Sequence, residues 1–138
     1  MTISESSPRG EPAIRIIAMP SDTNPTGDIF GGWLMSMMDM AGGSTAYQRA
    51  RGRVATVAVE SIEFHRPVRV GDEVSCYTEV IRVGRSSMAV RVDVWVRPGR
   101  GGDLVKVTQG VLTFVAIDDD GHPRPVDAPL DASSSRWP

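Results

Sequence analysis

The chain alternates between apolar and polar stretches with periods that change along its length. Residues 13–18, AIRIIA, form a short apolar run that ends before Pro20, and SDTNPTGD at 21–28 consists of turn formers; a first strand and a loop are expected. The next 20 residues, from Gly31 to Ala50, read as the one long helix. Apolar positions fall on nearly every side of it, which predicts a helix buried all round. After Gly52 the period becomes two, the signature of strands. In VATVAVESIEF the apolar parity shifts between Val57/Val59 and Ile62/Phe64, so a bulge is expected near Glu60 and Ser61. PVRVGD predicts a turn, VSCYTEVIRV a strand and VGRSS a tight reversal. MAVRVDVWV puts Met88, Val90, Val92, Val94 and Val96 on one face. PGRGGD is the next loop, and LVKVTQGVLTFVAI is a long strand apolar on both faces, as a central strand is. DDDG closes it.

This order of a strand, a buried helix and four strands joined by short reversals predicts an α+β fold: an antiparallel sheet of about five strands with one helix to wrap. Such a sheet covers the helix on one side only, so the remaining apolar surface calls for a second subunit and an obligate homo-oligomer. Residues 1–11 and 127–138 are rich in Ser, Pro, Asp and Gly and are expected to be mobile tails flanking one domain at 12–126.

Composition narrows the function. Fifteen basic and 17 acidic residues give a net charge of -2 with no long block of either sign, which argues against a nucleic-acid binder. Cys76 is the only cysteine, so no intrachain disulfide can form and a reducing compartment is expected; in its strand it reads as core filler. No stretch approaches the roughly 18–20 apolar residues of a membrane span, and the N-terminus lacks the apolar run of a secretory signal. A cytoplasmic protein without membrane partners is the expectation.

Most catalytic signatures are absent: there is no nucleophile elbow, no phosphate loop, no paired-histidine zinc motif and no C-x-x-C. His65 and His122 are too few for a histidine-rich metal site, and no metal is expected. What remains is the helix and its approach. Gly31 and Gly32 open the helix, where outward-pointing N–H groups and the positive end of the dipole can hold a developing oxyanion. About two turns later comes Asp39, an acid among Trp33, Leu34, Met35, Met37, Met38 and Met40. Burial there is costly, so Asp39 needs a partner or a purpose. Ser36, Asp39 and Gly43 share its face at i, i+3, i+7 spacing. The alternative reading makes Asp28 a helix cap and Asp39 a structural hydrogen-bonding group.

The runs AMPSDTNPTGDIFGGWLMSMMDMAGG, GRVATVAVESIEFHRPVRVGD and VGRSS occur in that order, and together they resemble the acyl-CoA thioesterases of the hotdog fold, in the small bacterial single-domain form represented by YciA. The resemblance spans about Ile14 to Asp118. It implies a long central helix wrapped by the sheet, homo-oligomers with active sites between subunits, commonly trimers of dimers, an acyl-CoA substrate drawn from fatty-acid metabolism, and no cofactor. By the same resemblance Asp39 matches the catalytic acid, as general base or nucleophile. Asn24 matches an asparagine near the thioester, contributed by the opposite subunit. Gly32, beside Gly31, matches the backbone donor to the carbonyl oxygen, and Ser36 joins the substrate-binding face. Gly84, Arg85, Ser86 and Ser87 match the turn associated with CoA, where a guanidinium suits phosphate oxygens. Met37-Met38 and Ser44-Thr45 depart from the family's usual residues and bear on the acyl pocket. Two other functions fit the fold: a non-catalytic acyl-CoA binding module, and a hydroxyacyl-thioester dehydratase, whose chemistry would need a histidine beside the acid.

Overall fold

The computed structural model describes residues 7–127; the remaining parts of both expected tails lie outside the described residues. A strand β1 (Ile14–Ile17) leads through a short 3-10 turn at Pro20–Asp22 to the helix α1 (Gly31–Ala50). Four long strands follow: β2 (Val54–Phe64), β3 (Glu73–Val83), β4 (Ser87–Arg97) and β5 (Val105–Ala116). They form one antiparallel five-stranded sheet in the order β1-β3-β4-β5-β2, with the helix against one face.

The alternation expected of MAVRVDVWV is present: Met88, Val90, Val92, Val94 and Val96 are all buried in the core beneath α1. The bulge expected near Glu60 and Ser61 is also present. The β2–β5 register shifts between Glu60 and Glu63, and Ser61 takes a left-handed backbone at φ 55°. A second shift lies between Thr56 and Ala58.

Two expectations are corrected. First, β2 and β3 are not joined by a reversal between paired strands. They lie on opposite sides of β4 and β5, and residues 65–72 cross from one side of the sheet to the other. His65 N–H prolongs the ladder to Val107, Ile29 N–H bonds the carbonyl of buried Val68, and Gly71 N–H bonds that of Ala18. The crossing segment is thus fastened to the loop before the helix. The turn chemistry of PVRVGD is real but local: Asp72 accepts from Arg69 N at 2.9 Å and from Gly99 N at 2.9 Å. It thereby ties this turn to the β4–β5 loop. β5 lies between β4 and β2, an interior strand as its apolar faces predict, with β4 in the middle of the sheet.

Second, the helix is buried on one side, not all round. Leu34, Met37, Met38, Ala41, Gly42, Ala46 and Ala50 face the sheet, while Met40 is 52% and Met35 39% exposed within the protomer. The physical reason is that a single sheet reaches only one face of a helix. Glycines set how closely the two layers approach. A Cβ on Gly42 would sit 3.1 Å from the Phe114 ring, and one on Gly110 would sit 2.7 Å from Ile62 Cγ1 and 3.2 Å from Met38 Cε. Larger side chains at either position would push helix and sheet apart.

Candidate active site

The helix places Asp39 half-buried on the side that carries Met35 and Ser36. Its partner comes from the sheet: Thr56 Oγ1 on β2 donates to Asp39 Oδ1 at 2.6 Å. The other carboxylate oxygen has no partner among the described residues. Thr56 sits opposite Phe114 in the β2–β5 register, and Phe114 in turn packs under Gly42 and Gly43. The Asp39 carboxylate and its partner strand are therefore fixed from two layers. Thr56 was missed by sequence reasoning. The only signal for it, a hydroxyl on an otherwise apolar strand, acquires meaning once β2 is known to lie beside α1.

The helix N-terminus behaves as its glycines suggest. Phe30 is the N-cap residue, and no side chain caps the helix. Asp28 is therefore not a cap; its backbone N–H and carbonyl belong to the preceding turn. Trp33 N–H and Leu34 N–H both reach the Phe30 carbonyl, which leaves the N–H groups of Gly31 and Gly32 without acceptors among the described residues. Gly31 lies against the Phe64 ring, whereas a Cβ on Gly32 would meet nothing of its own chain within 4 Å.

Asn24 organises the approach loop. Its Oδ1 accepts from Thr26 N at 3.0 Å, Thr26 Oγ1 at 2.8 Å and Asp28 N at 3.1 Å, which fully commits that oxygen. The side-chain nitrogen carries no bond among the described residues and is the group left for a ligand. Ser36 Oγ donates back to the Trp33 carbonyl at 2.7 Å, so its hydroxyl is engaged with its own helix. Within one chain these groups do not converge. Along the helix axis Gly32 and Asp39 are about 10 Å apart, too far to act on one carbonyl.

The turn at 84–87 links β3 to β4. Gly84 N–H bonds the Ser87 carbonyl at 2.8 Å, and a Cβ on Gly84 would lie 2.8 Å from Ser87 Oγ, so the turn closes tightly. Arg85 is exposed, and its guanidinium carries no hydrogen bond or ion pair among the described residues. Ser86 and Ser87 are half-buried beside it.

Other candidates resolve into structure. Cys76 is buried under the helix, and burial pushes its thiol up to about 12. His65 is exposed, 3.6 Å from Glu63. Asp118, Asp120 and His122 bring ligand atoms within 4.8 Å of one another, but Asp118 Oδ1 already accepts from Asp120 N and His122 N, which makes the trio a self-bonded turn. A cavity of about 250 Å³ bordered by Pro8, Arg9, Tyr77 and Trp95 includes none of the site residues.

Comparison with known proteins gives the family of the chain. The thioesterase superfamily model matches residues 26–108. The chain is 53% identical over 116 residues to an uncharacterised acyl-CoA thioester hydrolase of Zymomonas mobilis, covering 84% of this chain and 78% of that protein. It is 44% identical over 127 residues to the acyl-CoA thioester hydrolase YciA of Escherichia coli, covering 90% and 96%. Among solved structures, the hexameric thioesterase y2039 of Yersinia pestis superposes with a TM-score of 0.84 at 47% identity, covering 89% of this chain and all of that one. HI0827, a hexameric broad-specificity acyl-coenzyme A thioesterase studied there as a variant, superposes with a TM-score of 0.82 at 50% identity, covering 86% and 87%. Family match, identities and superpositions agree, and the chain belongs to the thioesterase superfamily, as a YciA-like member with the hotdog fold.

Proposed function

We propose that this protein hydrolyses acyl-CoA to a free acid and CoA, with Asp39 as the base. The observation that carries the mechanism is the Thr56–Asp39 hydrogen bond of 2.6 Å: it holds one carboxylate oxygen and leaves the other to take a proton from water. That water adds to the thioester carbonyl carbon, the oxyanion is held by Gly32 N–H with Gly31 beside it, and collapse expels the CoA thiolate, which is then protonated. Asn24 orients water or carbonyl through its amide nitrogen. Hydrolysis needs a base, an oxyanion donor and water, and so no cofactor. The turn at 84–87 takes the CoA end, with Arg85 on phosphate and Ser86 and Ser87 beside it.

The roughly 10 Å between Gly32 and Asp39 on one helix supports a site shared by two subunits, in which one chain supplies the base and its partner the oxyanion donor and Asn24. The exposed apolar residues around it, Met35, Met40, Val57 and Phe64, fit such burial, and the hexameric neighbours favour a trimer of dimers. The cytoplasm, where acyl-CoA is made and used, is the compartment that fits.

Thiol release from short, medium, long and aromatic acyl-CoAs tests the reading. Turnover of at least one is expected; stoichiometric binding without thiol release would leave a binding module instead. Single turnover in H2 18O separates the two roles open to Asp39. A base leaves its carboxylate unlabelled and no acylated protein, whereas a nucleophile either acquires label, when water opens the anhydride at the Asp39 carbon, or, when water opens it at the acyl carbon, is revealed by acylated protein in the mass spectrum of a rapidly quenched reaction.

A further inference from the structure

The residues after β5 are bound to three places at once. Directly after the strand, Ile117 pairs with Pro123 to close a small loop, inside which Asp118 N–H bonds the His122 carbonyl and Gly121 N–H the Asp118 carbonyl. Ile117 N–H is held by the Arg53 carbonyl at the start of β2. Beyond the loop, Arg124 Nη2 donates to the carbonyl of Ala50, the last residue of α1, at 2.8 Å. This guanidinium lies where a Cβ on Gly52 would be, 2.6 Å away, so Gly52 is the space it occupies.

The third attachment is the turn between β3 and β4. Ala116 N–H donates to the Ser86 carbonyl and Val126 N–H to the Arg85 carbonyl, both at 2.8 Å. Val126 itself is 3% exposed and belongs to the hydrophobic core. Of the two turn carbonyls beside this guanidinium, that of Ser86 is taken by Ala116 at the end of β5 and that of Arg85 by Val126 of the segment that follows, which is anchored in turn on the helix end and in the core.

We propose that residues 117–126 form a positioning strap for the turn at 84–87, fixing the backbone from which Arg85 meets the phosphates of CoA. This rests on the reading that the turn receives CoA. The strap touches no reacting atom. Its effect is to pre-order the turn, so that the ordering cost is not met again on each binding event. It acts on affinity for the nucleotide end of the substrate and not on the chemical step at Asp39.

The test compares butyryl-CoA with butyryl-pantetheine, which carries the same thioester without the nucleotide. Val126→Pro keeps an apolar residue but deletes the N–H that holds Arg85; Arg124→Ala frees the strap at the helix end. Elution as the parent oligomer and an unchanged circular dichroism spectrum establish folding for each. For either folded variant, KM for butyryl-CoA is expected to rise about five- to tenfold, with kcat within about twofold and with butyryl-pantetheine kinetics unchanged. Equal losses on both thioesters, or no change on either, would overturn the strap. Arg85→Ala separates the two layers of inference. If it raises KM for butyryl-CoA while neither strap variant does, only the strap fails; if it leaves that KM unchanged, the assignment of the turn to CoA fails and the strap's role with it.

Discussion

At the scale of single residues, the proposed site rests on one carboxylate and what restrains it. Loss of a positioned base costs on the order of 10² to 10⁴ in rate, so Asp39→Asn is expected to remove nearly all thiol release while the oligomer elutes as the parent does. Parent-level turnover would rule Asp39 out. Thr56→Val keeps the shape of the side chain and deletes the bond to Asp39. A loss of about tenfold in kcat is expected, the worth of one hydrogen bond to a charged group, and Thr56→Ser should restore most of it. Cys76 makes these measurements clean: with its thiol pushed up to about 12 and buried beneath α1, it will not react with disulfide reagents at pH 8 in the native protein. Asp39 stood out in the sequence because an acid among methionines is conspicuous. Thr56 did not, because a threonine in a strand is ordinary, and a separation of 17 positions along the chain hides its meeting with the helix.

At the scale of elements, the helix and the bulge were legible because each is written in local pattern. Glycines open α1 and the strand period begins just past its end, and the parity shift in β2 can only be absorbed by an extra residue. The order of strands was not legible. Whether residues 65–72 reverse or cross over depends on β2 pairing with β5, a contact about fifty residues distant whose registers no local period encodes. Helix-to-sheet spacing was likewise hidden in isolated glycines. Gly110→Ala forces a Cβ into Ile62 and Met38, and a loss of about 1–3 kcal/mol in unfolding free energy is expected by denaturant titration. The loop after β5 carries a pH signature. Backbone N–H bonds, chiefly from His122, hold the Asp118 carboxylate below its ordinary pKa. A depressed carboxylate pKa contributes stability above the unfolded value and loses it as pH falls through the folded one. Protection of the Asp120 and His122 amides, measured against their intrinsic exchange rates, should therefore fall below about pH 4, and Asp118→Ala should show the low protection already at neutral pH.

At the scale of the whole molecule, the protomer is a half-finished object. Val57 on β2 is 57% exposed and Met40 on the outer helix face 52%, and both make sense once a second copy covers them. Mixed assemblies test the shared site directly. Subunits carrying Asp39→Asn and subunits carrying Asn24→Ala, each inactive alone, should regain about a quarter of parent activity when unfolded together and refolded, since half of randomly paired dimers contain one intact site of two. No recovery would place both groups in one chain. Among the described residues no helix is long and apolar enough to cross a membrane. The open space around Gly32 carries a consequence of its own. Gly99 and Gly110 are glycine because neighbouring atoms of the same chain leave no room, and a scan of substitutions scored by thermal stability would find them. Gly32 would pass such a scan apart from a small gain in helix propensity, yet fail one scored by turnover. Two scans on one protein would then separate glycines such as Gly99 and Gly110, which the fold requires, from Gly32, which only the substrate or the partner subunit can feel.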